Sequence, residues 1–301
     1  MTRAPTGRTG GRGLRTGFRV VFCLFLLLGC GGREESSRAV RDDLGREVSL
    51  PPRVTRVVTL APNLTEIVFA VGAGERVVGT DDFSNDPAAA MGLPKVGGLQ
   101  PNVEKIASLR PDLVLATTNG NHPNLAPALA AVSIPLFVVK TDRLDEIASA
   151  GERLGALLNG SRPREFVRDL RDGIERQKRT RARSPRILFA VYADPLYVAG
   201  RDTFSDDLFV LTGARNAVEA KGWPQYSLEA LLADAPDIII HPAKSVTREQ
   251  IQQLFARTPE LARKVTIETV DEDRFTRPGP RVVIAAEELN AIIDRWESKR
   301  D

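Results

Sequence analysis

The residues able to do covalent or metal chemistry are few and scattered. The chain has two histidines, His122 and His241, and two cysteines, Cys23 and Cys30. A zinc or manganese receptor needs several His and carboxylate ligands brought together, and this inventory does not supply them. His122 sits in the polar stretch GNHPN, and His241 follows an apolar run. Both read as structural or solvated. No nucleophile–base pairing or phosphate-cradling glycine loop is evident. The GxG of GAGERVVG follows a helical stretch and reads as a helix C-cap. What the sequence offers instead is contact chemistry. In GWPQYSLEALL (222–232), Trp223 and Tyr226 flank a Pro-Gln pair, and Ser227 then opens a helix with Glu229 in its first turn. Aromatic rings in a loop present broad contact area at little rotamer cost, which suits non-covalent capture.

The elements that position this loop occur twice. GGLQPNVEKIASLRPDLVL (97–115) aligns without gaps on GWPQYSLEALLADAPDIII (222–240), at a constant offset. Gly97 meets Gly222, Gln100 meets Gln225, Glu104 meets Glu229, and Pro111-Asp112 meets Pro236-Asp237. Asn102 and Ser227 fall at the same place, and both are good helix N-caps. Each copy predicts a loop, a short helix ended by Pro-Asp, and a continuous apolar run. Such a run marks a strand buried on both faces of a parallel sheet. Two similar units this far apart predict two similar lobes.

The remainder fits two α/β lobes of mainly parallel strands. In the first, at 51–141, strands are expected over 53–62, 76–82, 112–118 and 135–140, with a helix over 63–74. In the second, at 185–301, strands are expected over 186–193, 237–242 and 264–270, with a closing helix. Between them, 142–184 is helical. A helix over 142–158 packs on the first lobe, and a largely charged helix over 164–183, with the narrow stripe Val167, Leu170 and Ile174, joins the lobes across solvent. Open α/β sheets bind ligands in loops at the C-terminal ends of their strands. That rule makes Phe83, Tyr192, Tyr197, Asp273 and Arg274 candidate cleft residues. Thr203, with Asp202, reads as the cap of a helix starting near Phe204.

The first segment reads as an export signal rather than as fold. MTRAPTGRTGGRGLRTGFR holds five arginines and no acid, and the apolar run that follows is too short to span a bilayer. Without residues 1–29, the net charge of +3 becomes a slight acidic excess, 37 basic side chains against 39 acidic ones. Such a balance implies no nucleic-acid partner. Cys30 is then the one remaining cysteine, so no intrachain disulfide forms. Residues 30–50 begin with a polar stretch and read as a tether.

RVVTLAPNLTEIVFAVGAGERVVG, LPKVGGLQPNVEKIASLRPDLVLA, PLYVAGRDTFSDDLFVLTGARNAV, GWPQYSLE and FTRPGPRVV together resemble the cobalamin-type (vitamin B12) substrate-binding proteins of ABC importers. These are class III periplasmic binding proteins, whose members also carry iron–siderophores and haem. The likeness covers nearly all of residues 53–296. LLLGC (26–30) resembles the lipobox of bacterial lipoproteins, which makes Cys30 the lipidation site. The resemblance implies two Rossmann-like lobes joined by a single long helix, with a ligand cleft between them. It implies Trp223 packing on a corrinoid, bound as transported ligand and not as cofactor. It also implies Glu104 and Glu229 docking on arginines of the two permease subunits of an importer with its ATPase subunits. One departure is visible: relatives place an aromatic near position 99, where this chain has Leu99. A ferric siderophore or haem is the alternative ligand, and a sensory lipoprotein would carry the same sequence features.

Overall fold

Residues 38–50, expected to belong to the tether, are folded. A computed structural model describes residues 37–118, 124–256 and 263–300, so Cys30 and His122 lie outside the described residues. Strands β1 (Arg38–Arg41) and β2 (Glu47–Leu50) pair as an antiparallel hairpin. Its turn is built on Asp42, whose carboxylate accepts from the backbone N–H of Leu44 and Arg46 and from the Arg46 guanidinium. Gly45, at φ +77°, supplies the left-handed residue of that turn. Val48 and Leu50 are buried in the first lobe. The alternation that buries them spans only Val48-Ser49-Leu50 and follows a charged stretch, Arg41 to Asp43 and Arg46-Glu47, that hides it in sequence.

Strands β3 (Val57–Thr59), β4 (Val77–Thr80), β5 (Leu113–Thr117) and β6 (Leu136–Val139) form an all-parallel sheet in the order β4-β3-β5-β6. Each is an apolar run because both faces are covered. Leu113, Leu115, Phe137 and Val139 pack towards helices α1 (Pro62–Ala70) and α5 (Leu144–Leu157). Val114, Ala116 and Val138 pack the other way, with Ile106 of α3 (Val103–Ser108) and Leu125 and Leu129 of α4 (Leu125–Ala131). A short α2 (Ala88–Met91) lies between β4 and α3.

Helix α6 (Pro163–Gln177) leads to the second lobe. It is shorter than the expected 164–183, about 22 Å at 1.5 Å per residue. The apolar face Phe166, Val167, Leu170 and Gly173 runs out there, and 178–185 carry no further stripe to bury. The second lobe is a mixed sheet in the order β11-β10-β7-β8, with β9 (Arg215–Asn216) beside β7 (Arg186–Ala193). Here β10 (Ile238–Pro242) and β11 (Thr266–Val270) are parallel to β7, while β8 (Leu196–Val198) is antiparallel to it. Helices α7 (Phe204–Leu211), α8 (Leu228–Asp234) and α9 (Arg248–Leu254), the turn of helix Glu272–Phe275 and the C-terminal helix Val282–Ser298 complete it.

The duplication seen in sequence is also conformational. Gly97 and Gly222 both have positive φ, +109° and +71°. Arg110 and Ala235, also equivalent, both adopt the left-handed conformation that ends their helices, at φ +47° and +40°. Asn102 caps α3 by accepting from Lys105 N–H, and Ser227 caps α8 by accepting from Ala230 N–H. Asp112 receives Thr55 N–H, Thr55 Oγ1 and Arg56 N–H, and Asp237 receives Arg186 N–H. The paired aspartates therefore pin the starts of β3 and β7. The lobes are joined by more than α6. One apolar core runs from Leu64 and Ile67 through Phe166 and Leu170 to Phe189, Phe275, Val282 and Leu289.

Candidate functional site

A cavity of about 720 Å³ lies between the lobes, within the size range of small-molecule sites. Its first-lobe wall comes from loops at the C-terminal ends of strands: Pro62 and Asn63 after β3, Thr117 at the end of β5, and Lys140 to Arg143 after β6. The second-lobe wall is Asp202, Thr203 and Phe204 after β8, Gly222 and Trp223 after β9, and Thr276 to Pro278 beyond β11. This is the site that the sheet topology dictates.

Trp223 is 36% exposed and rests against the buried Phe204, with ring centroids 6.1 Å apart at a 49° tilt. Gly222 at φ +71° sets the loop that turns the indole outward. Tyr226 goes the other way: its hydroxyl donates to Asp234, and burial followed by that carboxylate pushes the phenol well above its ordinary pKa. The two aromatics of GWPQYSLE therefore divide the work, one on the cleft and one in the lobe's own packing.

Three cations line the cavity, each held by a carboxylate. Lys140 pairs with Glu146 at 2.9 Å. Arg143 reaches across the lobes to Asp202, at 3.4 Å, and to Asp207. Arg277 pairs with Asp273 at 2.7 Å, donates to Asn85 Oδ1 at 2.7 Å, and donates to the Phe83 carbonyl at 3.2 Å. Beneath it, the buried Glu66 of α1 takes the Arg281 guanidinium on both oxygens. Burial raises the Glu66 carboxyl above its ordinary pKa, against the pull of Arg281 and Arg277. Asn63 adds a further bridge, donating to the Pro278 carbonyl at 3.2 Å. Threonine hydroxyls and the carboxylates of Asp142 and Asp202 share the rest of the wall with Pro62, Phe204, Trp223 and Pro278.

Of the six expected ligand contacts, Trp223 lines the cavity. Asp273 lies at the lobe junction behind Arg277, where burial pushes its carboxyl up but Asn85, Lys244 and Arg277 bring it below the usual range. Arg274 turns away to Glu288, at 3.4 Å. The arginine of that segment that reaches the cavity is Arg277, three residues on, a choice that residue type alone does not make. Phe83, 53% exposed, packs over Gly98, where a Cβ would come within 2.9 Å of the ring. Tyr192 and Tyr197 are exposed cross-strand neighbours, and Tyr197 bridges to Gln225 beside the Trp223 loop. None of these three is in the cavity wall. Phe275 is buried against Phe189. Thr203 caps α7, accepting from Asp206 N–H, as its position implied. Lys140 and Arg143 escaped the sequence reading, although the strand-end rule pointed to the loop that carries them.

Glu104 and Glu229 are exposed in the first turns of α3 and α8, and neither is in an ion pair among the described residues. A hydrogen bond from its own backbone N–H, then one from the Ser227 hydroxyl, holds the Glu229 carboxyl below the usual range. His241 is buried and fully satisfied: Nδ1 lies 2.9 Å from the Val246 carbonyl and Nε2 3.0 Å from Thr269 Oγ1. Among the described residues no group of three or more His, Cys, Asp or Glu could hold a metal ion.

A two-lobed α/β frame with a cleft at its strand ends defines a solute-binding protein. The periplasmic binding protein family matches residues 57–272, and the chain belongs to it. The vitamin B12-binding protein of Yersinia pestis (strain Pestoides F) is 31% identical over 255 residues, 80% of this chain and 88% of the relative. Among solved structures, the periplasmic vitamin B12 binding protein BtuF of Vibrio cholerae matches with a TM-score of 0.68 at 25% identity, covering 81% of this chain and 98% of its own. The periplasmic heme-binding protein RhuT from Roseiflexus sp. RS-1 in apo form matches with a TM-score of 0.69 at 26% identity, covering 79% and 97%.

Proposed function

We propose that the protein is an exported, lipid-anchored binding protein that captures a corrinoid and delivers it to an ABC importer. The observation that carries the ligand is the cavity wall: one exposed indole among threonine hydroxyls, the Asn63 amide and cations neutralised by carboxylates. A corrin ring fringed by neutral amides matches both parts, since the plate meets Trp223 and the fringe meets hydrogen-bonding groups. Likeness to the vitamin B12-binding relatives supports the same ligand. The haem-binding neighbour makes haem the second reading.

Cys30 at the end of the apolar run is the proposed lipidation site, and residues 1–29 the removed signal. Glu104 and Glu229 are the proposed docking acids, one per lobe on equivalent helices. Paired like surfaces suit a permease of two like subunits. Exposed ion pairs of this kind fix orientation more than they add affinity. No covalent step is required: the lobes close on ligand by a modest hinge, and permease motion driven by its ATPase subunits opens them. Tryptophan fluorescence tests the ligand. Trp296 is buried in the C-terminal helix, so comparison with Trp223→Ala separates its share of quenching by cyanocobalamin from that of Trp223. Saturable quenching whose amplitude falls in Trp223→Ala, with corrinoid affinity reduced on the order of thirtyfold, is the expected result. Unchanged affinity in that variant removes Trp223 from the site.

A further inference from the structure

Charge crosses the cavity from one lobe to the other. Arg143 and Asp202 both line it, one from each lobe. Arg143 stands at the N-cap of α5, where Glu146 Oε2 accepts its backbone N–H at 3.0 Å. Its guanidinium leaves the first lobe for two carboxylates of the second, Asp207 in the first turn of α7 and Asp202 just before that helix. Asp207 spends both oxygens on the other lobe. Oδ1 takes Arg143, and Oδ2 accepts the Leu144 N–H at 3.0 Å. An otherwise orphaned first-turn amide of a first-lobe helix is therefore satisfied by a second-lobe side chain.

The charged cross-lobe bonds fall in two places that differ in burial. In the first, Glu66 is buried and gives both oxygens to Arg281. Parting that pair would strand a buried carboxylate, which is costly. In the second, the side chains of Asp202 and Arg143 are 55% and 35% exposed. Water takes over such bonds readily, so they open and reform at small cost. Asp202 does not depend on Arg143, because Lys221 of its own lobe holds it at 2.8 Å. Asp202 also sits in the left-handed region, at φ +62°. Non-glycine residues adopt that backbone seldom, and such positions cluster at ligand clamps and switches.

We infer that Arg143, with Asp207 and Asp202, is a clasp that holds the lobes together in the absence of ligand and parts when the cleft opens, with the buried Glu66–Arg281 junction as the pivot. Its use as a gate rests on the solute-capture reading, but the clasp itself is a property of the chain alone. Opening breaks the bonds to Arg143 and to the Leu144 N–H together, so the clasp has two discrete states. Ligand enters the fraction of molecules that are open, and the clasp lowers apparent affinity by that fraction. Loosening it therefore speeds both capture and escape.

The test is the distance between the lobes in the ligand-free chain from Gly31 onward. That chain has no cysteine of its own, so Glu104→Cys and Glu229→Cys place one spin label on each lobe, outside the cavity wall, for double electron–electron resonance. A short-distance population is expected at low salt, and added salt should move it towards longer distances by screening the clasp. Arg143→Met should raise the ratio of long to short distances about tenfold, the worth of charge-assisted hydrogen bonds, and should remove the salt response. Asp207→Asn, which keeps an acceptor for the Leu144 N–H, should do the same. The double variant should be no more open than either single one, because all three remove one interaction. A distribution that ignores salt in the unsubstituted cleft, one unchanged in Arg143→Met, or additive effects in the double variant overturns the inference. The readout needs no ligand, so failure here leaves the corrinoid reading to its own titration.

Discussion

At the scale of single residues, the site turns on which side chains a loop aims into the cleft. Arg274 and Arg277 are three residues apart, have the same chemistry, and were indistinguishable in sequence. The fold separates them: Arg274 pairs with Glu288 on the C-terminal helix, while Arg277 bridges Asn85 and the Phe83 carbonyl at the cavity edge. Arg277→Ala should therefore weaken corrinoid binding about tenfold or more, the cost of losing charge-assisted hydrogen bonds. Arg274→Ala should leave affinity within about twofold, since its exposed ion pair is worth little. Equilibrium titration of both variants checks the pair. The position of Trp223 was legible because an aromatic in a Gly-Trp-Pro loop has few other uses. Phe83, Tyr192 and Tyr197 obeyed the same strand-end rule and still fall outside the cavity wall. The rule selects a loop, and the loop's backbone then decides which way each ring points.

At the scale of elements, the duplicated loop–helix–strand unit was the most legible feature. Its signals are local: caps, a helix-ending Pro-Asp, and apolar runs. The roles of the two aspartates became visible in three dimensions, because each holds a strand distant in sequence. For Asp112, burial raises the carboxyl pKa, but hydrogen bonds from Thr55 and Arg56 outweigh it and leave the pKa below the usual carboxylate range. A carboxylate with a depressed folded-state pKa adds stability above its unfolded value, and that stability is lost as pH falls through the folded one. Asp112→Ala should cost about 1–3 kcal/mol at neutral pH. The gap between the unfolding curves of the two proteins should narrow as pH drops below about 4, measured by denaturant unfolding across the acid range. A gap independent of pH would show that the hydrogen-bonded charge is not what stabilises β3. The hairpin 38–50 was the least legible element. Its charged residues suggested tether, while the buried Asp42 turn and the Val48–Leu50 alternation that fold it became clear from their partners on β6 and α5.

At the scale of the whole molecule, two lobes share one continuous core behind the cleft and a polar bridge across it: Glu66 to Arg281, Asn63 to Pro278, Arg143 to Asp207. So many cross-lobe contacts favour a small hinge over a wide swing. Delivery then depends on the outer surface. The double substitution Glu104→Arg, Glu229→Arg should leave corrinoid affinity within about twofold, since exposed charges outside the cleft add little to it, while abolishing uptake by cells. Uptake that survives the double reversal would take the docking role from these acids.

Isothermal titration of the chain from Gly31 onward with cyanocobalamin tests the central claim most directly. One corrinoid bound per chain, with heat that Trp223→Ala diminishes, is the predicted result. No heat with cyanocobalamin, together with saturable heat from haemin or a ferric siderophore, would contradict it.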